Sequence, residues 1–312
     1  MKTFLIVPCS AKKNIQTNSK NDISAFKLEN DDKFADNWIK QLLQSQHLCK
    51  ASHMYSGVAF KSLNQLAINN NFNLLIMSAG LGLLMHDSLI PSYNATFSAG
   101  PTQTPFSKSK WWEAISKTKP SHLGIASFKM LFSQNANSQF IITGSKDYLL
   151  AIEDDLYHAI NFLENPKKQL SIISSQLPKK LQQMLGKNCF LKTGINYTYN
   201  DAYKRFGLAL NLRNSAAIGT HHFVEELTNK HEEFDVIIEK LTLELASPPL
   251  IKKPKRKQMS PEHIKHFIKS ELIINDRASM SLLHTRYRES GFACSDENFK
   301  KYFKQIKIEI KE

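Results

Sequence analysis

Short apolar runs alternate with longer amphipathic stretches along the first 246 residues. The runs are FLIVP (4–8), NLLIMS (73–78), QFIITG (139–144) and LSIISS (170–175). Each is apolar on both faces, which is typical of parallel strands covered by helices. Helical patterns with candidate caps lie between them, at 31–46, 56–70 and 107–137. The alternation predicts an α/β fold with an open, mostly parallel sheet and flanking helices.

The periodicity changes near residue 246. Residues 221–245 predict one helix that closes a first domain, 1–246. The stretch 247–258 is rich in proline and lysine without periodicity, and we interpret it as a basic linker. Residues 259–312 predict a small helical domain. Its second and third helices are separated by GFACS, as in a helix-turn-helix.

Charge is unevenly distributed. The chain has a formal net charge of +13, and residues 251–312 hold 15 Lys+Arg against 8 Asp+Glu, a net of +7. A basic terminal domain favours a polyanionic partner, and a nucleic acid is the first candidate. No apolar run is long enough to cross a membrane. The scattered cysteines, without a CxxC, predict neither a zinc site nor a disulfide framework and favour a cytoplasmic location.

Polar and basic residues follow the ends of the predicted strands. Open α/β sheets bind ligands beyond the carboxyl ends of their strands, so these residues predict a cleft that binds an anion. TGSKDYL also suits phosphate binding at a helix N-terminus, although an ordinary strand–turn–helix explains it equally well. The predicted cleft residues are Cys9, Ser10, Lys12, Lys13, Ser78, Gly144, Ser145 and Lys146.

The stretch SAGLGLLMHDSLIPSYNATF (78–97) carries the most specific hypothesis. Gly80 and Gly82 would let the backbone approach a flat ligand closely. Asp87 would return over the cleft, and Tyr93 and Asn94 would contact a nucleobase. A carboxylate there could orient water or stabilise an oxocarbenium-like sugar. The other interpretation is that Asp87 caps a turn and Tyr93 belongs to the core.

Basic residues of the linker and the last two helices predict contacts to DNA phosphates or bases. The alternative is a helical bundle whose lysines are merely solvated. The candidates are Lys252, Lys253, Lys255, Arg256, Lys257, Arg286, Arg288, Lys300, Lys301 and Lys304.

PCSAKK after the first strand, followed by SAGLGLL, an aspartate and IPSYNATF after the second, resembles uracil-DNA-glycosylase-like α/β domains. Related domains accompany archaeal tRNA-guanine (archaeosine) transglycosylases. The chain also resembles the phage-defence family called bacteriophage replication inhibition DNA glycosylase, whose helical C-terminal domain is similar to residues 259–312. The chain lacks the GQDPY and HPSP segments of true uracil-DNA glycosylases.

The resemblance implies an enzyme that excises glucosylated hydroxymethylcytosine from phage DNA and leaves an abasic site. It implies Asp87 as the carboxylate that assists water, with Tyr93 and Ser10 as the other catalytic candidates. No metal, organic cofactor, membrane or obligate protein partner is expected. Two other functions stay open: a non-catalytic module that senses modified DNA or RNA, and an accessory protein for RNA base modification.

Overall fold

The computed structural model describes residues 2–27, 30–198, 200–246, 256–276 and 278–310. The chain divides into two compact units, Met1–Pro249 and Leu250–Glu312. Each unit has its own apolar core. Ile6 and Ile141 are central to the first, and Ile268 and Phe299 to the second.

The described strands lie in one large sheet and two short ribbons. They are β1 (Thr3–Pro8), β2 (Leu48–Lys50), β3 (Asn73–Ser78), β4 (Gly82–Met85), β5 (Leu89–Pro91), β6 (Gln139–Thr143), β7 (Leu170–Ser174), β8 (Phe190–Lys192), β9 (Lys257–Gln258) and β10 (Phe292–Ala293).

The described α-helices connect these strands and form most of the second unit. They are α1 (Asp31–Leu43), α2 (Ala51–Met54), α3 (Val58–Asn69), α4 (Lys108–Thr118), α5 (Phe128–Gln134), α6 (Lys146–Ala159), α7 (Pro166–Gln169), α8 (Lys179–Leu185), α9 (Ser215–Lys230), α10 (Phe234–Ala246), α11 (Pro261–Ile274), α12 (Met280–Glu289) and α13 (Asp296–Glu309).

The large sheet has six strands in the order β4-β3-β1-β6-β7-β8. Strands β3, β1, β6, β7 and β8 are parallel, and β4 returns antiparallel to β3. The mostly parallel α/β sheet predicted from the sequence is therefore confirmed. Strands β4 and β8 were not predicted, because each is only three or four residues long and lies at an edge.

The sheet lies between two layers of helices. Helices α3, α9 and α10 contact one another and the parallel strands in one layer. Helices α1, α4, α5, α6 and α8 contact one another in the other. Apolar runs such as LSIIS are consequently buried along their whole length.

Some predicted elements were wrong in extent. The helix expected to run to residue 137 is reduced to α5. Gly124, at φ 148°, interrupts it by packing against the Leu83 carbonyl, where a Cβ would be 2.3 Å away. The single helix predicted over 221–245 is two helices, α9 and α10, separated at His231, which has φ 53°. The predicted linker ends earlier than residue 258, because β9 pairs with β10.

None of the helices in the described ranges combines the length and apolar character that crossing a bilayer requires.

Candidate functional site

The chain changes direction within the sheet at β1. Strand β3, which follows in the chain, pairs with one edge of β1, and the later strand β6 pairs with the other edge. In open α/β sheets such a switch point leaves a crevice at the carboxyl ends of the two strands, and ligands bind there. Cys9 follows β1 directly, and its thiol shares a hydrogen bond with the hydroxyl of Tyr148 in α6 (3.0 Å). Side chains from both sides of the switch point therefore meet.

Cys9, Tyr55, Ser78, Tyr93 and Tyr148 form what we call the strand-end cluster. The Tyr93 hydroxyl lies 2.6 Å from the Ser78 hydroxyl and 2.7 Å from that of Tyr55. It also lies 4.0 Å from the Cys9 sulfur. Tyr55, Ser78 and Tyr93 are buried, whereas Cys9 and Tyr148 are partly exposed. The cluster thus comes nearest to the surface at Cys9 and Tyr148.

Burial determines the charge state of the cluster. It raises the pKa values of Tyr55, Tyr93 and Tyr148 well above the usual value, and negative charge on Cys9 would raise them further. The three phenols are therefore neutral hydrogen-bond donors at neutral pH. The Lys13 ammonium group lies 4.8 Å from the centroid of the Tyr93 ring. Burial lowers the pKa of Lys13, and negative charge on Cys9 opposes that shift.

Residues 78–82 form the tight turn between β3 and β4 rather than a loop over a ligand. The indole nitrogens of Trp38 and Trp111 each donate to a carbonyl of this turn, at Gly80 and Ala79 respectively (both 2.7 Å). A Cβ on Gly80 would lie 2.6 Å from the ring of Tyr93. The space beside Gly80 is thus filled by that ring, and the prediction that it admits a ligand was wrong.

Two other predicted ligand residues of this turn also have structural roles. The Ser78 hydroxyl accepts from the Leu81 amide (2.8 Å). Gly82 has φ 69° and opens β4, with Ile115 and Lys119 packed against it. Ser78 and Gly82 are both buried, so neither residue lies open to the crevice.

Asp87 does not lie in the crevice. Strand β4 pairs Gly82 with Ser78 and Met85 with Leu75, so the chain returns about 10 Å along β3 before it reaches Asp87. Asp87 is exposed in the turn that follows. The prediction of Asp87 as the cleft carboxylate was therefore wrong, because it treated residues 79–92 as one loop.

Ser10 and Asn94 stabilise loops near the cluster. The Ser10 hydroxyl donates to the Lys12 carbonyl (2.6 Å) and accepts from the Gly57 amide (3.0 Å). The Asn94 amide group donates to Asp22 (3.0 Å). Their polar groups are thus engaged within the protein, which argues against a catalytic role for Ser10. The Lys12 side chain is exposed.

The turn from β6 into α6 is exposed to solvent at its last residues. Ser145 precedes α6, but its side chain makes no capping hydrogen bond. Ser145 and Lys146 are exposed, and a Cβ on Gly144 would lie 3.4 Å from the Tyr148 side chain, an ordinary contact distance. The anion site predicted here thus retains free first-turn amides.

Asp147 is a carboxylate at this end of the sheet that the sequence analysis missed. It lies in the first turn of α6, directly before Tyr148, and pairs with Lys108 (3.1 Å). Its position in TGSKDYL, directly after a strand, is a signal that could have identified it. Tyr55, which forms an isolated bridge with Lys13, carried no such signal.

The second unit packs α11, α12 and α13 around Leu283, Tyr287 and Phe299. Ser279 caps the N-terminus of α12, and Ser295 caps the N-terminus of α13. The sequence pattern predicted the cap at Ser295. The His284 ring contacts the Cys294 carbonyl (3.0 Å) and holds the turn between the two helices.

The predicted DNA-binding residues have different environments. Lys300, Lys301 and Lys304 are exposed along α13, and Arg288 is exposed on α12. Arg286 is paired with Glu271 (2.7 Å), so part of its charge is compensated. Two linker residues belong to the folded unit: Arg256 donates to the Arg288 carbonyl (3.0 Å), and Lys257 lies in β9. The remaining candidates, Lys252, Lys253 and Lys255, lie outside the described residues.

One comparison with known proteins gives a match. The profile of a family of unknown function, DUF6884, matches residues 42–179. This segment includes the 78–82 turn, Tyr93 and Tyr148, but neither Cys9 nor the second unit. No curated protein and no solved structure matches the chain.

Proposed function

We propose that the chain is a phage-defence DNA glycosylase that excises glucosylated hydroxymethylcytosine and leaves an abasic site. The observation that carries the proposal is the Cys9–Tyr148 contact, which joins the two strand ends at the topological switch point. Ligands of open α/β sheets bind at that point. A uracil-DNA-glycosylase-like fold is part of the same proposal, and the parallel order β3-β1-β6-β7 supports it.

The reaction requires water to attack C1′ of the nucleotide while the N-glycosidic bond breaks. The bonding electron pair leaves with the base, which then takes up a proton. We assign the assisting carboxylate to Asp147 rather than to Asp87, because Asp147 lies at the switch-point end of the sheet. An ionised carboxylate there orients the water and stabilises positive charge on the sugar.

The neighbouring groups suit the leaving base. The neutral Tyr148 hydroxyl, which meets the Cys9 thiol at the strand end, donates a hydrogen bond to the base or to its sugar. Lys13 supplies positive charge that stabilises the departing base. Tyr93 is buried and holds Ser78 and Tyr55, so it is a positioning residue rather than a stacking platform.

The partner in this proposal is double-stranded phage DNA. The exposed lysines of α13 would contact phosphates, and the base would be flipped out of the duplex to reach the crevice.

The test is an incubation of the purified full chain with DNA that contains glucosylated hydroxymethylcytosine and with unmodified DNA. Abasic sites are probed, and released bases are identified by mass spectrometry. Release of the modified base from the first DNA alone supports the proposal. Tight, salt-sensitive binding of modified DNA without release would instead indicate a non-catalytic sensing module and would overturn the assignment as an enzyme.

Asp147→Asn is expected to lower the excision rate about 100-fold, because it removes the charge that assists attack on C1′. Asp87→Asn is the matched control, since it makes the same chemical change at an exposed turn at the other end of β3. It is expected to retain full activity. The measurement is single-turnover excision, with circular dichroism to verify folding. Loss of activity in Asp87→Asn with full activity in Asp147→Asn would contradict the assignment.

Replacing Lys300, Lys301 and Lys304 together by alanine is expected to weaken DNA binding and to flatten its salt dependence. If all three contact phosphates, the slope of log K against log salt falls by about 2.7, at about 0.9 for each contact. The control replaces Lys20, Lys61 and Lys187, which are also exposed but lie in the first unit. Fluorescence anisotropy at several salt concentrations measures both. Equal losses in the two variants would mean that only net charge matters.

A further inference from the structure

A lysine amine lies beside the strand-end cluster without an acidic partner. The Lys13 ammonium group lies 4.8 Å from the centroid of the Tyr93 ring. The hydroxyl of the same ring lies 4.0 Å from the Cys9 sulfur. Among the residues that the structure describes, no carboxylate pairs with Lys13 and no oxygen accepts a hydrogen bond from its nitrogen.

This lack of a partner distinguishes Lys13 within the first unit. The other described lysines of that unit that are buried or half-buried each have a carboxylate or carbonyl partner. They are Lys108 with Asp147, Lys119 with the Leu83 and Ile125 carbonyls, Lys180 with Asp154, and Lys240 with Glu226. A ring face is a weaker partner than a carboxylate, so the Lys13 amine remains available to a ligand.

The backbone on both sides of Lys13 is fixed. The Asn14 amide donates to the Met54 carbonyl (2.9 Å). The Ser56 amide donates to the Lys12 carbonyl (2.9 Å). Lys13 itself is partly exposed, and its nitrogen is not one of the enclosed side-chain atoms that lack a hydrogen-bond partner. The amine is therefore held on a fixed support and is accessible to a ligand.

A lysine with these properties is a nucleophile for carbonyl carbon. Burial lowers the pKa of Lys13, and negative charge on Cys9 opposes that shift. More of the neutral amine is therefore present at neutral pH than on a fully solvated lysine. The neutral amine forms Schiff bases with aldehydes, and an abasic site in DNA presents an aldehyde at C1′ when its sugar ring opens.

We propose that Lys13 cleaves the DNA strand at the abasic site through a Schiff base with C1′. The inference rests on the proposed function, because both place the flipped nucleotide at the crevice. During excision the Lys13 ammonium group gives a proton to the departing base and becomes a neutral amine. Its nitrogen then forms a bond to C1′ of the open-chain sugar. The aldehyde oxygen leaves as water, with one proton from the amine and one from solvent, and an iminium ion remains.

The iminium ion makes strand cleavage possible because it withdraws electrons from C2′. The C2′ proton passes to water, the C3′–O bond breaks, and its electron pair leaves with the 3′ phosphate. Water then hydrolyses the iminium ion, which restores Lys13 and leaves an unsaturated aldehyde on one strand end and a phosphate on the other. The overall oxidation level does not change, so no oxidant or reductant is required.

The test supplies the purified full chain with a duplex that contains one preformed abasic site, so that the result does not depend on base excision. Sodium cyanoborohydride reduces the iminium ion to a stable amine, and the covalent protein–DNA complex is measured on a denaturing gel. A trapped complex is expected, and a cleaved strand is expected when the reductant is omitted. Digestion and mass spectrometry are expected to place the DNA remnant on Lys13.

Lys13→Arg is expected to lower the yield of trapped complex at least about tenfold, because a guanidinium keeps the positive charge but stays protonated. Lys20→Arg is the matched control, since Lys20 is exposed in the first unit, and it is expected to trap as wild type does. Circular dichroism verifies that both variants are folded. An adduct on another amine, an unchanged yield in Lys13→Arg, or no trapped complex would overturn the proposal. Excision of the modified base without trapping would overturn strand cleavage alone and leave the glycosylase proposal standing.

Discussion

Gly80→Ala is expected to lower the free energy of unfolding of the first unit by about 3 kcal/mol, at the upper end of overpacking costs. The new Cβ would lie 2.6 Å from two atoms of the Tyr93 ring and 3.3 Å from Trp38. The ring cannot move aside easily, because its hydroxyl is bonded to Ser78 and Tyr55. Urea unfolding followed by tryptophan fluorescence measures the loss. All three tryptophans lie in the first unit, so the signal reports on that unit alone.

Gly144→Ala is the matched control at the same end of the sheet. Its Cβ would meet Tyr148 at 3.4 Å and Met77 at 3.5 Å, which are ordinary contacts, and its φ is not positive. Its stability is expected to change by less than about 1 kcal/mol, with a small gain from the stiffer unfolded chain. If Gly80→Ala proved equally harmless, the turn would have room beside it, and its use as a close approach to a ligand would regain support.

Lys119→Met is expected to destabilise the first unit by about 2–4 kcal/mol, because it leaves one buried and one partly buried carbonyl without this donor. The Lys119 ammonium nitrogen lies 2.5 Å from the Leu83 carbonyl and 2.9 Å from that of Ile125. It thereby ties β4 to the segment that precedes α5. Methionine has a similar length and fills the space, so the loss measures the hydrogen bonds rather than a cavity. Urea unfolding again gives the value.

Lys119 also predicts a pH dependence. Burial lowers its pKa to about 7, whereas an unfolded chain keeps the ordinary value of 10.5. Between these values the unfolded state binds the extra proton, so this group makes the protein more stable as pH rises from 7. The slope reaches at most about 1.4 kcal/mol per pH unit. The stability difference between wild type and Lys119→Met is therefore expected to grow from pH 7 to 9.

Other groups also titrate in this pH range, but their contribution cancels when the unfolding free energy of Lys119→Met is subtracted from that of wild type. Burial raises the pKa of Cys189 to about 11 and those of Tyr55, Tyr93 and Tyr148 above their usual value. These groups contribute stability that is lost as pH rises, but they are common to both proteins. A difference that stays constant from pH 7 to 9 would mean that Lys119 is protonated throughout, and it would contradict the lowered pKa.

The sequence by itself determined the four central strands of the sheet, β1, β3, β6 and β7, and the helices of the second unit. Residues 4–8, 73–78, 139–144 and 170–175 are all strands to within one residue. Continuous apolar runs report burial on both faces, which is a local property of each segment. The boundaries of α11, α12 and α13 were predicted for the same reason, because helical periodicity and serine caps are also local properties of each segment.

Only the tertiary structure decided the site. Cys9 and the β6–α6 turn come together because both directly follow strands whose carboxyl ends share one edge of the sheet, as the strand pattern predicted. Asp87 lies elsewhere, because the pairing of β4 with β3 carries it back along the sheet. Tyr55 enters the cluster through a hydrogen bond to a residue 38 positions away. Pairing register and long-range packing depend on which distant side chain fills each space, and no local pattern encodes that.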